Sequence, residues 1–168
     1  MYMLNSNETR YYFHNIGSEK VVIKDYKHRQ IGFVINDYSD LRGEHYTLHD
    51  ENGLGLKVFK KTDTADIDFV IEDWKGKVLG TGMNEHGMRK SKIVIMSELN
   101  EPTFECEKSV IRTTKNSLDN VAYYTSYSPH DDAVFDIVNL SINRKLLFGS
   151  LLCMKKGLAI AHDPTLFG

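Results

Sequence analysis

The sequence predicts a β-rich (α+β) fold: successive antiparallel hairpins, closed as a barrel or stacked as a sandwich, followed by one hydrophobic helix. Three observations carry this. Apolar runs repeatedly reach an acidic residue and reverse, the flanking segments keep a two-residue hydrophobic period, and a single compact apolar stretch, Leu146 to Ala161, comes last.

The reversals define the hairpins. Val21-Val22-Ile23-Lys24-Asp25, Tyr46-Thr47-Leu48-His49-Asp50, Phe69-Val70-Ile71-Glu72-Asp73 and Ile93-Val94-Ile95-Met96-Ser97-Glu98 each end in an acid. Asp25, Asp50, Asp73 and Glu98 stand 25, 23 and 25 residues apart, a nearly constant period. Glycine follows three residues after the acid in Asp50-Glu51-Asn52-Gly53 and in Asp73-Trp74-Lys75-Gly76. Aspartate opening a turn accepts hydrogen bonds from backbone amides beyond it, and glycine in the fourth place adopts a left-handed conformation that most residues resist.

The segments around the turns read as strands. Ile67, Phe69 and Ile71 share one face while Asp66, Asp68 and Glu72 lie off it, as the two-residue repeat of an extended chain requires. Past the turn, Val78 and Leu79 continue and Gly80-Thr81-Gly82 marks a bulge or bend. Similar pairs surround Ile31 to Ile35, Leu56 to Phe59 and Phe104 to Ile111. A fifth pair runs through Val121 to Tyr127 and Ala133 to Leu140, reversing at Ser128-Pro129-His130-Asp131. Five hairpins supply enough strands for either a barrel or a sandwich.

The last stretch reads as a helix. Arg144 to Met154 is rich in leucine and poor in β-branched residues, and Ser141 or Asn143 can cap its start. A helix from Arg144 to Ala161 would be about 27 Å long. Spanning a bilayer takes about 20 mainly apolar residues, and Lys155-Lys156-Gly157 interrupts this run, so a core helix is expected and no transmembrane segment. Leu146, Leu147, Phe148, Leu151, Leu152, Cys153 and Met154 point around much of the circumference, so the helix must be enclosed on most sides and the strands must wrap it. The two lysines leave two readings open: they snorkel at one barrel mouth, or the helix stops near Gly157 and Leu158 to Ala161 forms a final strand.

An antiparallel β-barrel of successive hairpins enclosing a hydrophobic C-terminal helix resembles the tubby C-terminal fold, including its LURP-one-related and scramblase-like branch and small bacterial relatives. The likeness rests on the repeated turn units, such as Phe69 to Gly80, and on the closing segment Lys145 to Met154 followed by Leu158-Ala159-Ile160-Ala161-His162-Asp163. It covers roughly Ser18 to Asp163 and brings no invariant catalytic motif. Eukaryotic tubby-like domains are associated with phosphoinositide headgroups, so the resemblance implies an adaptor for anionic lipid at a membrane surface.

Composition fits one domain over residues 1–168: a chain this long buries roughly 70% of the surface its unfolded form exposes, and it has 41% hydrophobic residues and three prolines. Met1 to Glu8 lacks both a basic leader and a long apolar core, which predicts no secretory signal and a cytoplasmic location, at most peripheral to a membrane. Cys106 and Cys153 read as buried free thiols, with no cysteine framework to support a disulfide scaffold or a zinc site.

Signals for chemistry are thin. His45 and His49 on one strand would stand about 13 Å apart, too far to share an ion. His130-Asp131-Asp132 falls in a turn, and His162-Asp163 suits a helix end. No glycine-rich phosphate loop or nucleophile elbow is present, so no catalytic residue, metal or cofactor is expected. An enzyme assembled from scattered residues such as His86, His130 and Asp132 is the weakest reading. Binding is favoured: Lys57, Lys60 and Lys61 on one hairpin and Arg89, Lys90 and Lys92 on another are candidate contacts for an anionic headgroup. The alternative is a protein-interaction barrel that ignores lipid. A net charge of −2 gives no global pull toward acidic partners, and Tyr123, Tyr124 and Tyr127 suit sheet packing better than base stacking, so nucleic acid is disfavoured. Nothing in the sequence fixes the oligomeric state.

Overall fold

The computed structural model describes residues 8–15, 19–37, 45–51, 53–60, 68–86, 91–107, 109–114, 119–126, 132–139 and 143–161. Twelve strands occur in them: Arg10–His14 (β1), Lys20–Lys24 (β2), Gln30–Asp37 (β3), His45–Asp50 (β4), Gly53–Lys60 (β5), Phe69–Asp73 (β6), Val78–His86 (β7), Ser91–Ser97 (β8), Pro102–Glu107 (β9), Val110–Thr113 (β10), Asn120–Ser126 (β11) and Asp132–Ile137 (β12). Each strand pairs with the next, β1 also pairs with β12, every pairing is antiparallel, and the sheet closes into a barrel. The barrel reading therefore holds and the sandwich does not. The helix α1 spans Arg144–Ala161, the predicted bounds. It runs on past Lys155 and Lys156, so no final strand forms over Leu158 to Ala161.

The alternation seen in the sequence sorts the strands' two faces. Ile23, Leu48, Leu56, Val58, Phe69, Ile71, Ile95, Phe104, Ile111 and Phe135 are almost wholly buried and form one core with the helix. Leu146, Leu147, Phe148, Leu151, Leu152, Cys153 and Met154 are all buried, so α1 fills the bore. A twelve-stranded barrel is wide enough to need such a filling. Tyr11 of β1 and Phe135 of β12 meet Phe148 edge-on, with ring centroids 5.3 and 5.5 Å apart. Cys106 and Cys153 are buried and free, as expected.

Two glycines make room for the helix. A Cβ on Gly80 would come within 2.7 Å of Leu146 Cδ1, and one on Gly149 within 2.6 Å of Ile71 Cγ2. Gly80 thus serves close approach, and the bulge predicted there falls one residue earlier: Ile71 pairs with Gly80 and Glu72 with Val78, leaving Leu79 unpaired. The same offset recurs just past the reversals after β2, β4, β8 and β10, with Ile31, Gly55, Thr103 and Val121 as the extra residues. Such bulges sharpen local twist and help a sheet curl.

The turns are built alike. Asp25 Oδ1 accepts the amides of Lys27 and Arg29 at 2.9 and 3.0 Å, and Asp73 Oδ1 accepts those of Lys75 and Lys77 at 2.9 Å each. The fourth turn opens at Ser97, not at Glu98: Ser97 Oγ accepts the amides of Leu99 and Glu101 at 3.3 and 3.4 Å. In each, the residue three places on has positive φ: His28 at 60°, Gly76 at 86° and Asn100 at 60°. The reversal expected at 128–131 lies outside the described residues, as does Ile67.

Candidate functional site

Five of the reversals gather at one end of the barrel. That end holds the reversals after β2, β4, β6, β8 and β10, together with the start of α1. Asn143 caps the helix there, its Oδ1 accepting the Leu146 amide at 3.2 Å. Arg144, the first helical residue, donates to the Glu8 carbonyl at 2.9 Å and to the Tyr11 hydroxyl. Asp25, 1% exposed, is held by Arg29 through Nη2 at 2.8 Å and Nε at 2.9 Å. Burial pushes the Asp25 carboxyl up, yet the Arg29 amide and guanidinium and the Lys27 amide outweigh it and hold the group below its ordinary value. Burial and the neighbouring Asp25 carboxylate push the Glu8 carboxyl up.

An open pocket of about 320 Å³ lies at this end, lined by Glu101, Pro102, Thr103, Phe104, Thr113, Thr114 and Asn143. Its polar groups serve the backbone: Thr103 Oγ1 donates to the Glu101 carbonyl at 3.0 Å and Thr114 Oγ1 to the Pro102 carbonyl at 2.8 Å. It holds no nucleophile beside a base, which is the pairing that covalent chemistry needs. Among the described residues, no cluster of histidine, cysteine and carboxylate groups is arranged to hold a metal ion.

Of the predicted cations, the two whose side chains are described, Lys57 and Lys92, do not converge. Lys57 sits half-buried on β5, in register with Thr47 and Glu72. Lys92 sits on β8 between two carboxylates, with Glu85 Oε2 and Glu105 Oε1 each 3.4 Å from its Nζ. Burial pulls the Lys92 ammonium down, but Glu105 and then Glu85 overcome this and hold it above its ordinary value. Three strand spacings separate β5 from β8, about 14 Å of sheet. Lys57 aligns through Glu72 with Val78, whereas Lys92 aligns with Glu85, seven residues further along β7 and so about 23 Å away in the strand direction. Lys60 ends β5, its side chain outside the described residues, and Lys61, Arg89 and Lys90 lie outside them altogether.

Of the other candidates, His86 ends β7 with its side chain outside the described residues, and His130 and the His162-Asp163 pair fall outside them. Asp132 is exposed and bonded to His14 Nδ1 at 2.7 Å across the β1–β12 seam. His45 is buried, and His49 stacks on Phe33 with centroids 4.6 Å apart.

Sequence reasoning missed the exposed apolar side chains. Tyr26 and Trp74 are each 58% exposed and Leu99 is 74% exposed, and each projects from a tight turn at the same barrel end. Val78 and Val138 are also exposed there. Lys27 Nζ lies 5.6 Å from the Tyr26 ring centroid and Lys75 Nζ 4.9 Å from that of Trp74. Their signal was present: a large apolar residue in the second or third place of a polar turn has no strand face to join. No helix of the described residues is long and apolar enough to cross a membrane. No protein-family model, curated protein or solved structure matches the chain.

Proposed function

We propose that this protein is a non-enzymatic binding module acting at a membrane surface, with its outside as the working surface. The observation that carries the reading is the filled bore: Leu146 to Met154 occupy the barrel interior, where barrels of similar size hold ligands. Large apolar side chains exposed beside lysines at one end support contact with an interface, where such residues partition. The barrel around a C-terminal helix is also the architecture that a tubby-like relationship would bring, with anionic lipid headgroups as its ligand class and a cytoplasmic, membrane-peripheral site of action.

Flotation with vesicles of phosphatidylcholine alone and of phosphatidylcholine mixed with phosphatidylserine, at low and moderate salt, tests this. Co-flotation supports the membrane reading, and added phosphatidylserine that increases it in a salt-sensitive way supports contacts through Lys57, Lys60, Lys61, Arg89, Lys90 and Lys92. Absence of flotation with every vesicle transfers the assignment to a protein-interaction barrel.

A further inference from the structure

The exposed apolar residues lie on separate hairpin tips. Tyr26 tops the β2–β3 turn, Trp74 the β6–β7 turn and Leu99 the β8–β9 turn. Continuing the β7–β8 register, in which Gly80 faces Ser97, sets Val78 opposite Leu99. Lys77 Nζ, 3.6 Å from Glu98 Oε2, ties these two tips together. Trp74, Val78 and Leu99 therefore belong to one lip, and Tyr26 stands on a second.

The charges of the two aromatic tips are sorted by depth. Asp25 and Asp73 fold back onto the amides of their own turns, so the carboxylates point away from the tip. Lys27 and Lys75 stay beside the exposed rings, an apolar body with a cation at phosphate height. The neighbouring tips carry acids instead, Glu51 on one and Glu98 and Glu101 on the other, all exposed. With Lys77 paired to Glu98 and Arg29 to Asp25, this end has no excess of free cations among the described residues. Electrostatic attraction across a whole face cannot hold it to a surface, whereas insertion of spaced apolar tips can. Spaced single tips suit a fluid interface that closes around each one; a rigid partner would need a separate pocket for each.

Resting on the membrane reading above, we infer that the turn end of the barrel docks on phospholipid, inserting Trp74, Leu99 and Tyr26 while Lys27 and Lys75 meet headgroup phosphates. Apolar insertion dominates, so docking persists on phosphatidylcholine alone and at moderate salt.

Trp74 is the chain's single tryptophan, so its fluorescence reports this end alone. With vesicles of brominated phosphatidylcholine, the expected result is a blue shift and quenching. Trp74→Ala with Leu99→Ala should lower the vesicle partition coefficient by about tenfold or more, and Lys27→Glu with Lys75→Glu by less. Thr125→Ala, at an exposed position of β11 away from the turn end, should leave partition unchanged. Trp74 and Leu99 lie outside the buried core, so both variants should fold; circular dichroism checks this, and Tyr26→Ala supplies an independent third tip. Native protein that floats with Trp74 unquenched, and tip variants that float equally well, would overturn the tip assignment while leaving the membrane reading standing. Native protein that floats with no vesicle overturns both.

Discussion

Gly149 of α1 lies so close to Ile71 of β6 that a Cβ on the glycine would fall 2.6 Å from Ile71 Cγ2 and 3.1 Å from its Cδ1. Glycine within a helix is ordinarily worth replacing, since alanine is favoured there by about 1 kcal/mol. Here the approach of a β-branched side chain reverses the sign. Gly149→Ala should destabilise the protein by about 1–3 kcal/mol through overpacking, read from urea unfolding. Adding Ile71→Ala should give less than the sum of the two single losses, and strict additivity would show that the contact is not what limits the site.

Asp25 gives the acid side of the stability profile a defined shape. Its carboxyl sits below its ordinary value in the native state, so the folded protein holds that proton more weakly than the unfolded chain. The stabilisation is complete above the unfolded carboxylate value of about 3.9 and is lost as pH falls through the lower native value. The stability gap between wild type and Asp25→Asn should therefore be widest near neutrality and close in strong acid. A gap constant down to the lowest pH at which both fold would remove the charge from the explanation.

Ser97 holds the place that Asp25 and Asp73 hold in their turns, with longer bonds: 3.3 and 3.4 Å, against 2.9 Å for both at Asp73. Ser97→Asp should restore the tighter acceptor and raise stability by roughly 0.5–1 kcal/mol. The paired substitution Asp73→Ser should lose a similar amount. Thermal melts of both variants check the symmetry.

Cys106 and Cys153 are buried within the core, and burial pushes both thiols up. Neither will present the thiolate that attacks disulfide reagents. A chromogenic disulfide should react with no thiol in the native protein and with both after unfolding in guanidinium.

Much of the architecture was legible because it is written locally. An aspartate followed by a left-handed position carries its turn in five residues, as at Asp25 and Asp73, and leucine-rich Arg144 to Met154 declares a helix without outside help. Where legibility failed, the deciding partner was distant in sequence, except at Ser97. Ser97, not the adjacent Glu98, opens its turn, because the hydroxyl does the aspartate's work and an acid-based reading passed over it. Arg10–His14 offered too short an alternation to stand out as a strand, yet it closes the barrel: Arg10 Nε lies 2.6 Å from Asp136 Oδ1. Lys92 reads in the sequence as one of a basic group with Arg89 and Lys90. Its neutralising carboxylates, Glu85 and Glu105, arrive from the strands on either side. Tyr26, Trp74 and Leu99 look like ordinary turn residues until the fold places their turns at one end.

The seam between β1 and β12 also sets the timetable of a chain being made. Strand β1 emerges early and, with only β2 beside it, waits for a partner synthesised more than a hundred residues later. The hairpins between them pair locally and soon, whereas uniting β1 with β12 closes a loop of about three quarters of the chain, the slow kind of contact. Until α1 follows, the inward faces of the wall have nothing to rest against. A wall whose strands had paired before α1 was made would be an open, greasy trough, and α1, made after all of them, would fill it.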